Sequence, residues 1–301
     1  MIEPGDAARV RDRIAAFVRE SLEVSGRSGV AVAMSGGLDS SVTAALCVRG
    51  VGADRVTGFA LPEKQGPPED LGDGNLVARW LGIRLEEHDI TSALSKLGAY
   101  DFVLSRLPGD ALRAGAIRAA YGLRRVFSDE DPLIGGLTGS RSAVVSRSSA
   151  HFKSRHRMRM VFLYFRAERM NLLVAGAANR TEKLTGIYTR FGVDDCADIM
   201  PIAGLFRTEV LHLANALEIP EKIRSKTPAP GIIPGVKDKY QYLLDLESDR
   251  LDVVLECLDS GSPPGEVAAR SGIEVEHVER IASVMAAAAR MAAVPLAPDI
   301  G

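Results

Sequence analysis

Residues 30–34, Val-Ala-Val-Ala-Met, form a continuous apolar run bounded by Gly29 on one side and Ser35-Gly36-Gly37 on the other. The run is too short for a buried helix, and its glycine borders mark it as a central parallel strand covered on both faces. Residues 39–48 then carry a helical pattern, so the chain passes from strand to helix through Ser35-Gly36-Gly37-Leu38-Asp39-Ser40-Ser41. A turn of this kind leaves backbone N–H groups at the start of a helix, where the helix dipole adds positive potential, and so forms an anion site. The glycines let the backbone approach phosphate, and Ser35 and Ser40 add hydroxyl donors. Asp39 has the wrong sign for phosphate and makes sense only if it holds a cation that phosphate shares.

The strand signature recurs at residues 56–61, 84–90 and 172–175, and the helical one at 69–81. Val10, Ile14, Phe17, Val18 and Leu22 share one helical face after Asp6, and Gly26 ends that helix. Such alternation predicts an α/β fold, a doubly wound parallel sheet with helices on both faces. From Tyr240 onward strand signals vanish, while residues 267–270 and 275–293 read as helix. The expected organisation is one domain over residues 1–301, with a core to residue 240 and a helical C-terminal cap from 241. Between Tyr100 and Ser149 the pattern weakens, around Gly135-Gly136 and many Ser and Arg, and reads as a helix followed by a mobile, solvent-exposed insertion.

The 301 residues carry 37 Lys+Arg against 39 Asp+Glu, which speaks against a nucleic-acid binder relying on a global basic field. Cys47, Cys196 and Cys257 are widely separated and never C-x-x-C, so neither a disulfide framework nor a cysteine zinc site is expected. A reducing, cytoplasmic location is the simplest reading. No signal peptide is legible and no run is apolar long enough for a bilayer, so no membrane role is expected.

The sequence has no G-x-x-x-x-G-K-[ST], which excludes a Walker A loop. Its S-G-G-L-D-S string resembles the pyrophosphatase loop of ATP-dependent adenylating amidotransferases and thiolases. Four further stretches are similar, in order and spacing, to the NAD synthetases. They are His151-Phe-Lys-Ser-Arg-His-Arg-Met158, Leu173-Val-Ala-Gly-Ala-Ala-Asn-Arg-Thr-Glu182, Gly186-Ile-Tyr-Thr-Arg190 and Asp198-Ile-Met-Pro-Ile-Ala-Gly-Leu-Phe-Arg207. The resemblance spans nearly the whole chain. It implies activation of a carboxylate by ATP, loss of pyrophosphate, and attack by ammonia to give an amide, with nicotinate adenine dinucleotide as the leading substrate. It also implies ATP and Mg²⁺ as the bound cofactors, a homodimer, and ammonia taken from solution or from a separate glutaminase, because only residues 1–29 precede the first strand.

Carried over residue by residue, the resemblance assigns ATP binding to Ser35, Gly36, Gly37, Asp39, Ser40, Leu61, Arg155, Gly176 and Ala177. Asp39 and Glu182 match the family's magnesium carboxylates. Asp39 and Arg207 are the catalytic candidates, Arg207 standing where a lysine against pyrophosphate is usual. Arg190, Asp198, Lys237 and Lys239 are the candidates for the acid substrate. Bland alternatives stand beside each. Glu182, three residues after Asn179, also fits a capping box. Arg155, His156, Arg157 and Arg159 also fit a solvated helix face, and Lys237 and Lys239 ordinary surface lysines. Cys196 reads as a small packed residue, and His88 and His212 as structural.

The chain also departs from the pattern. Ala177 and Ala178 replace a Thr-Gly pair, His151 replaces an asparagine, and Pro228-Ala229-Pro230-Gly231-Ile232 loses a hydroxyl and an acid. Val236-Lys237-Asp238-Lys239 replaces an acidic run. These changes favour a rival reading, an amide synthetase acting on another carboxylate, while the lost hydroxyls suggest a non-catalytic nucleotide-binding relative. The loop from Thr227 to Lys239, rich in Pro and Gly, is expected to act as a mobile lid.

Overall fold

The computed structural model describes residues 4–101, 131–140, 142–229 and 236–293, with the isolated positions 112, 115, 116 and 119. Its centre is a parallel sheet of β1 (Gly29–Ala33), β2 (Val56–Ala60), β3 (Arg84–Glu87) and β4 (Leu172–Ala175), in the order β3-β2-β1-β4. The period of two along each strand sorts the side chains onto two cores. Val30, Val32, Val56, Leu173 and Ala175 pack against α1 (Ala7–Ser25), α2 (Leu38–Val51), α3 (Pro68–Leu81) and α8 (Arg207–Ala216). Ala31, Phe59, Leu172 and Val174 pack on the opposite face, against α4 (Thr91–Lys96) and α6 (Ala143–Arg169). The expected doubly wound α/β architecture is therefore present.

A third core joins the C-terminal helices α10 (Lys239–Leu244), α11 (Ser248–Asp259), α12 (Pro264–Ser271) and α13 (Val275–Ala292) around Tyr240, Leu251, Val267 and Ile281. It is anchored to the sheet layer by Asp252 of α11, which is fully buried. Asp252 accepts hydrogen bonds from the Thr181 hydroxyl, at 2.5 Å, and from the Thr208 backbone N–H and hydroxyl, at 2.9 and 2.8 Å. Thr181 belongs to α7 (Arg180–Thr185) and Thr208 to α8, so one carboxylate holds together the first turns of two helices that face the site.

Two expectations need correction. The third strand stops at Glu87 rather than at residue 90, because Asp89 accepts the Thr91 N–H at 2.6 Å and turns the chain into α4. Part of the expected mobile insertion is regular helix. Asp131 caps α5 (Pro132–Thr138) by accepting the N–H groups of Leu133 and Ile134, and Leu133, Ile134 and Leu137 pack on the C-terminal core. Helix α6 then begins at Ala143. Most of the segment from 102 to 130, and residues 230–235 of the expected lid, lie outside the described residues.

Candidate active site

Strand order places the site. Going outward from β1, the chain runs to β2 and β3 on one side and to β4 on the other, so the β1/β4 boundary is a topological switch point where a crevice opens at the carboxyl ends. The loop after β1 carries Ser35 to Gly37, and the loop after β4 carries Ala177 to Asn179, so both strands deliver their chemistry to one crevice. A cavity of 870 Å³ opens there, within the usual range for ligand pockets.

The phosphate loop is built as its composition suggests. Gly37 caps α2 in extended conformation and makes no side-chain cap to its first N–H groups. The hydroxyls of Ser35 and Ser40 lie 3.0 Å apart, and the Ser41 hydroxyl donates to the Gly37 carbonyl at 2.7 Å. Gly36 has φ +71°, and a Cβ there would sit 2.6 Å from the Asp70 carbonyl oxygen and 2.8 Å from Asp73 Cβ. Its role is thus to let the loop lie against α3. Lys226, two residues past α9 (Glu221–Arg224), ties the loop to α3, donating to the Gly36 carbonyl at 2.9 Å while pairing with buried Asp73 of α3 at 2.5 Å.

Asp39 points into the cavity. One of its oxygens accepts from Asn179 Nδ2 at 3.1 Å and the other from Arg207 Nη1 at 2.9 Å. Arg207 is buried, and although burial pulls its pKa down, the surrounding groups, Asp39 foremost with Tyr240 and Glu182, more than compensate and hold it above the ordinary value. Glu182 serves as the reciprocal cap of α7: Asn179 Oδ1 accepts the Glu182 N–H at 3.0 Å, and Glu182 Oε2 accepts the Asn179 N–H at 3.1 Å. Its other oxygen, Oε1, pairs with Lys239. Capping and cavity roles coexist, because Glu182 also lines the pocket.

The structure brings Ser35, Gly37, Asp39, Ser40, Leu61, Arg155, Ala177, Glu182, Arg207 and Lys239 to the cavity wall. Arg155, however, does not present a free guanidinium, for it is buried in an ion pair with Glu63. Glu63 in turn accepts the Tyr100 hydroxyl at 2.7 Å and the Gln65 N–H at 2.9 Å, so the Arg155 side chain is held in the wall by a satisfied carboxylate. Arg157 is exposed and outside the cavity lining, donating to the Arg190 carbonyl at 3.2 Å.

Five expected contacts are absent from the cavity lining in this chain. Gly36 faces α3, as above. Gly176 turns toward the following loop, where a Cβ would meet the Asp194 carbonyl oxygen at 2.7 Å. Asp198 is exposed, and its carboxylate accepts the Val174 N–H at 2.8 Å and the Tyr164 hydroxyl at 3.2 Å, a structural clamp on β4. Arg190 lays its guanidinium over the Phe191 ring at 4.1 Å. Lys237 is exposed. His151, where an asparagine was noted, is buried with Nδ1 on the Ala99 carbonyl at 2.5 Å, and burial holds its pKa below the ordinary value.

Sequence reasoning missed Lys226, Asp70, Asp73, Glu63 and Asp194. Asp70 and Lys226 both line the cavity, but nothing local marks them, since Lys226 meets the loop across 190 residues of chain. Asp194 faces His156 Nδ1 at 3.6 Å on the cavity wall.

Fold and site together define an α/β enzyme with an anion-binding loop and an alternating set of carboxylates and cations at a strand switch point. The chain belongs to the NAD synthase family, whose model matches residues 10–119 and 140–291. It is 35% identical over 258 residues to the NH(3)-dependent NAD(+) synthetase of Thermotoga neapolitana, covering 85% of this chain and 87% of that one. To the enzyme of the same name from Methanocaldococcus jannaschii it is 32% identical over 289 residues, covering 96% of each. Among solved structures, an NMN synthetase from Francisella tularensis superposes with TM-score 0.69 at 21% identity, covering 100% of both chains. An NH3-dependent NAD synthetase from Campylobacter jejuni does so with TM-score 0.65 at 20% identity, covering 98% of this chain and 100% of that one. As a member of this family the chain is a carbon–nitrogen ligase acting with ATP.

Proposed function

We propose that this chain makes NAD by ammonia-dependent amidation of nicotinate adenine dinucleotide. The observation that carries the reading is the convergence of the Ser35 to Ser40 loop, Asp39, Glu182 and Arg207 on one cavity. The substrate carboxylate oxygen attacks the α-phosphorus of ATP, the α–β bridging bond breaks, and pyrophosphate leaves. Ammonia then attacks the acyl carbon of the adenylate, AMP departs, and one proton is lost to water. The first N–H groups of α2 and the Ser35 and Ser40 hydroxyls bind the departing pyrophosphate, and Arg207 stabilises the charge that develops on it. No protein nucleophile is required; in-line positioning and exclusion of water by the cavity supply the catalysis.

Asp39 and Glu182 fit a magnesium ion. Both are carboxylates on one wall, and among the described residues no group of three or more His, Cys, Asp or Glu converges. A magnesium site of one or two carboxylates completed by substrate phosphates has this donor set. When bound, the ion neutralises phosphate oxygens as the pyrophosphate leaves.

The whole chain is read as one catalytic unit acting on small molecules, in the cytoplasm, where its three free cysteines stay reduced. No helix among the described residues is long and apolar enough to cross a membrane. Val161 and Phe165 stand one turn apart on α6, 54% and 55% exposed, one turn on from exposed Arg157, which donates to the Arg190 carbonyl. This stripe supports a homodimer interface, with Arg190 next to it as a contact for the acid substrate. The test is pyrophosphate release with ammonium and a panel of carboxylic acids. Nicotinate adenine dinucleotide is expected to give the highest kcat/KM, glutamine is not expected to replace ammonium, and a different preferred acid would overturn the substrate.

A further inference from the structure

Lys239 is not an ordinary surface lysine. Its side chain is 12% exposed and its ammonium sits on Glu182 Oε1, inside the cavity. Its backbone is fixed from three directions. The Lys239 N–H donates to the Pro228 carbonyl at 3.0 Å. Asp238 caps α10 by accepting the N–H groups of Tyr240 and Gln241 at 2.8 and 3.0 Å. The next side chain, Tyr240, is fully buried in the C-terminal core. The ammonium is thus delivered by a packed helix start and not by a free side chain.

Its effect on the neighbouring carboxylates is arithmetic. Glu182 Oε2 is occupied by the Asn179 N–H, and Oε1 by Lys239. Asp39 is likewise filled on both oxygens, by Asn179 and Arg207. Two negative and two positive charges therefore cancel, and a pair of carboxylates that would attract a divalent ion strongly on its own is already neutralised by the chain. A divalent ion gains Coulomb energy at such a site only by displacing a resident ammonium or by bringing further negative charge with it.

We propose that Lys239 is a built-in counter-cation for Glu182, which keeps divalent metal off the carboxylate pair until nucleotide phosphates arrive. The inference rests on the reading of Asp39 and Glu182 as metal ligands, and it adds that the chain itself sets the order of binding. Metal enters as the nucleotide complex, because only the phosphates restore the negative charge that Lys239 removes. The position also accounts for one departure from the family pattern, the exchange of an acidic run for Val236-Lys237-Asp238-Lys239: of its two lysines only Lys239 lines the cavity.

The test is Mn²⁺ binding followed by electron paramagnetic resonance, with and without a non-hydrolysable ATP analogue. For nucleotide-free protein, Lys239→Met is expected to bind Mn²⁺ at least about tenfold more tightly than wild type, a lower bound for removing one charge–charge contact in a largely buried site. Lys239→Arg, which keeps the charge, is expected to bind as weakly as wild type, and Glu182→Gln in the Lys239→Met background is expected to abolish the gain. Circular dichroism checks that each variant is folded, and Lys239→Gln serves in place of Lys239→Met should the latter not fold. Equal Mn²⁺ affinity in wild type and Lys239→Met, with Asp39→Asn still weakening Mn²⁺ in the presence of the analogue, would overturn the counter-cation while leaving the metal ligands in place. Indifference of Mn²⁺ to both Asp39→Asn and Glu182→Gln in the presence of the analogue would remove the metal reading and the inference together.

Discussion

Asp39 has two partners and one task. Asn179 and Arg207 hold its carboxylate at 3.1 and 2.9 Å, so its orientation is set before any ligand binds. Asp39→Asn keeps the shape and removes the charge. It is expected to lower kcat for pyrophosphate release by at least about a hundredfold, roughly 2.7 kcal/mol, with an unchanged circular dichroism spectrum. Near wild-type turnover would remove Asp39 from the reaction. Asp70, which also lines the cavity, gives a pH-dependent counterpart. Burial, with Glu69 and Asp73 nearby, pushes its carboxyl up from 3.8 to about 6, against the pull of Lys226 and Arg159. Because the folded value lies above the unfolded one, the folded state holds an extra proton between those two values, and stability falls as pH rises through that window. Above about 6 the penalty is complete. Asp70→Asn is therefore expected to be more stable than wild type at pH 7 by about 1 kcal/mol, after allowance for partial exposure, with the gap closing as the pH is lowered toward 4. Urea unfolding at a series of pH values measures this, and a gap independent of pH would place the raised proton affinity elsewhere.

At the scale of elements, the phosphate loop works because it lies against α3 and the Lys226 side chain ties it to Asp73 of that helix. Lys226→Ala removes the ammonium from the Gly36 carbonyl and leaves buried Asp73 with Lys222 alone, at 2.5 Å. Steady-state kinetics should show KM for ATP raised about tenfold, near 1.4 kcal/mol, with KM for the acid unchanged. Equal changes in both constants would make Lys226 a general support of the fold. The elements differ in how legible they are. β1, β2 and β4 stand out as short apolar runs because both their faces are buried, and the start of α2 follows from the glycines before it. β3 is readable as a strand but not in its extent, since Arg84, Glu86 and Glu87 are charged and its end is set by the turn at Asp89. Helix α5 is obscured by Gly135 and Gly136, although Asp131 caps it and Pro132 opens it, and its packing against the C-terminal core offsets the glycines. In the site, the loop residues were readable because they are contiguous. The partners Arg207 and Asp39 lie 168 residues apart, and only the family resemblance placed them together. Lys239 carried no local signal of its pairing with Glu182, because a lysine after a Pro-rich stretch reads as solvated.

The whole molecule combines a sheet that aims two loops at one crevice with a helical layer that closes it. Asp252 joins the two parts, and the C-terminal layer returns Lys239 to the site. If the exposed stripe on α6 is the dimer face, Phe165→Glu should shift sedimentation from dimer to monomer. A dimer that persists would move the interface elsewhere on the surface. The central claim, that this architecture activates a carboxylate as an adenylate, is tested most directly by isotope transfer. Nicotinate adenine dinucleotide labelled with ¹⁸O in its carboxylate is incubated with ATP and ammonium, and the products are weighed by mass spectrometry. The account predicts NAD, unlabelled pyrophosphate, and AMP carrying one ¹⁸O in its phosphate. Label in inorganic phosphate with ADP as the nucleotide product, or AMP without label, would contradict it.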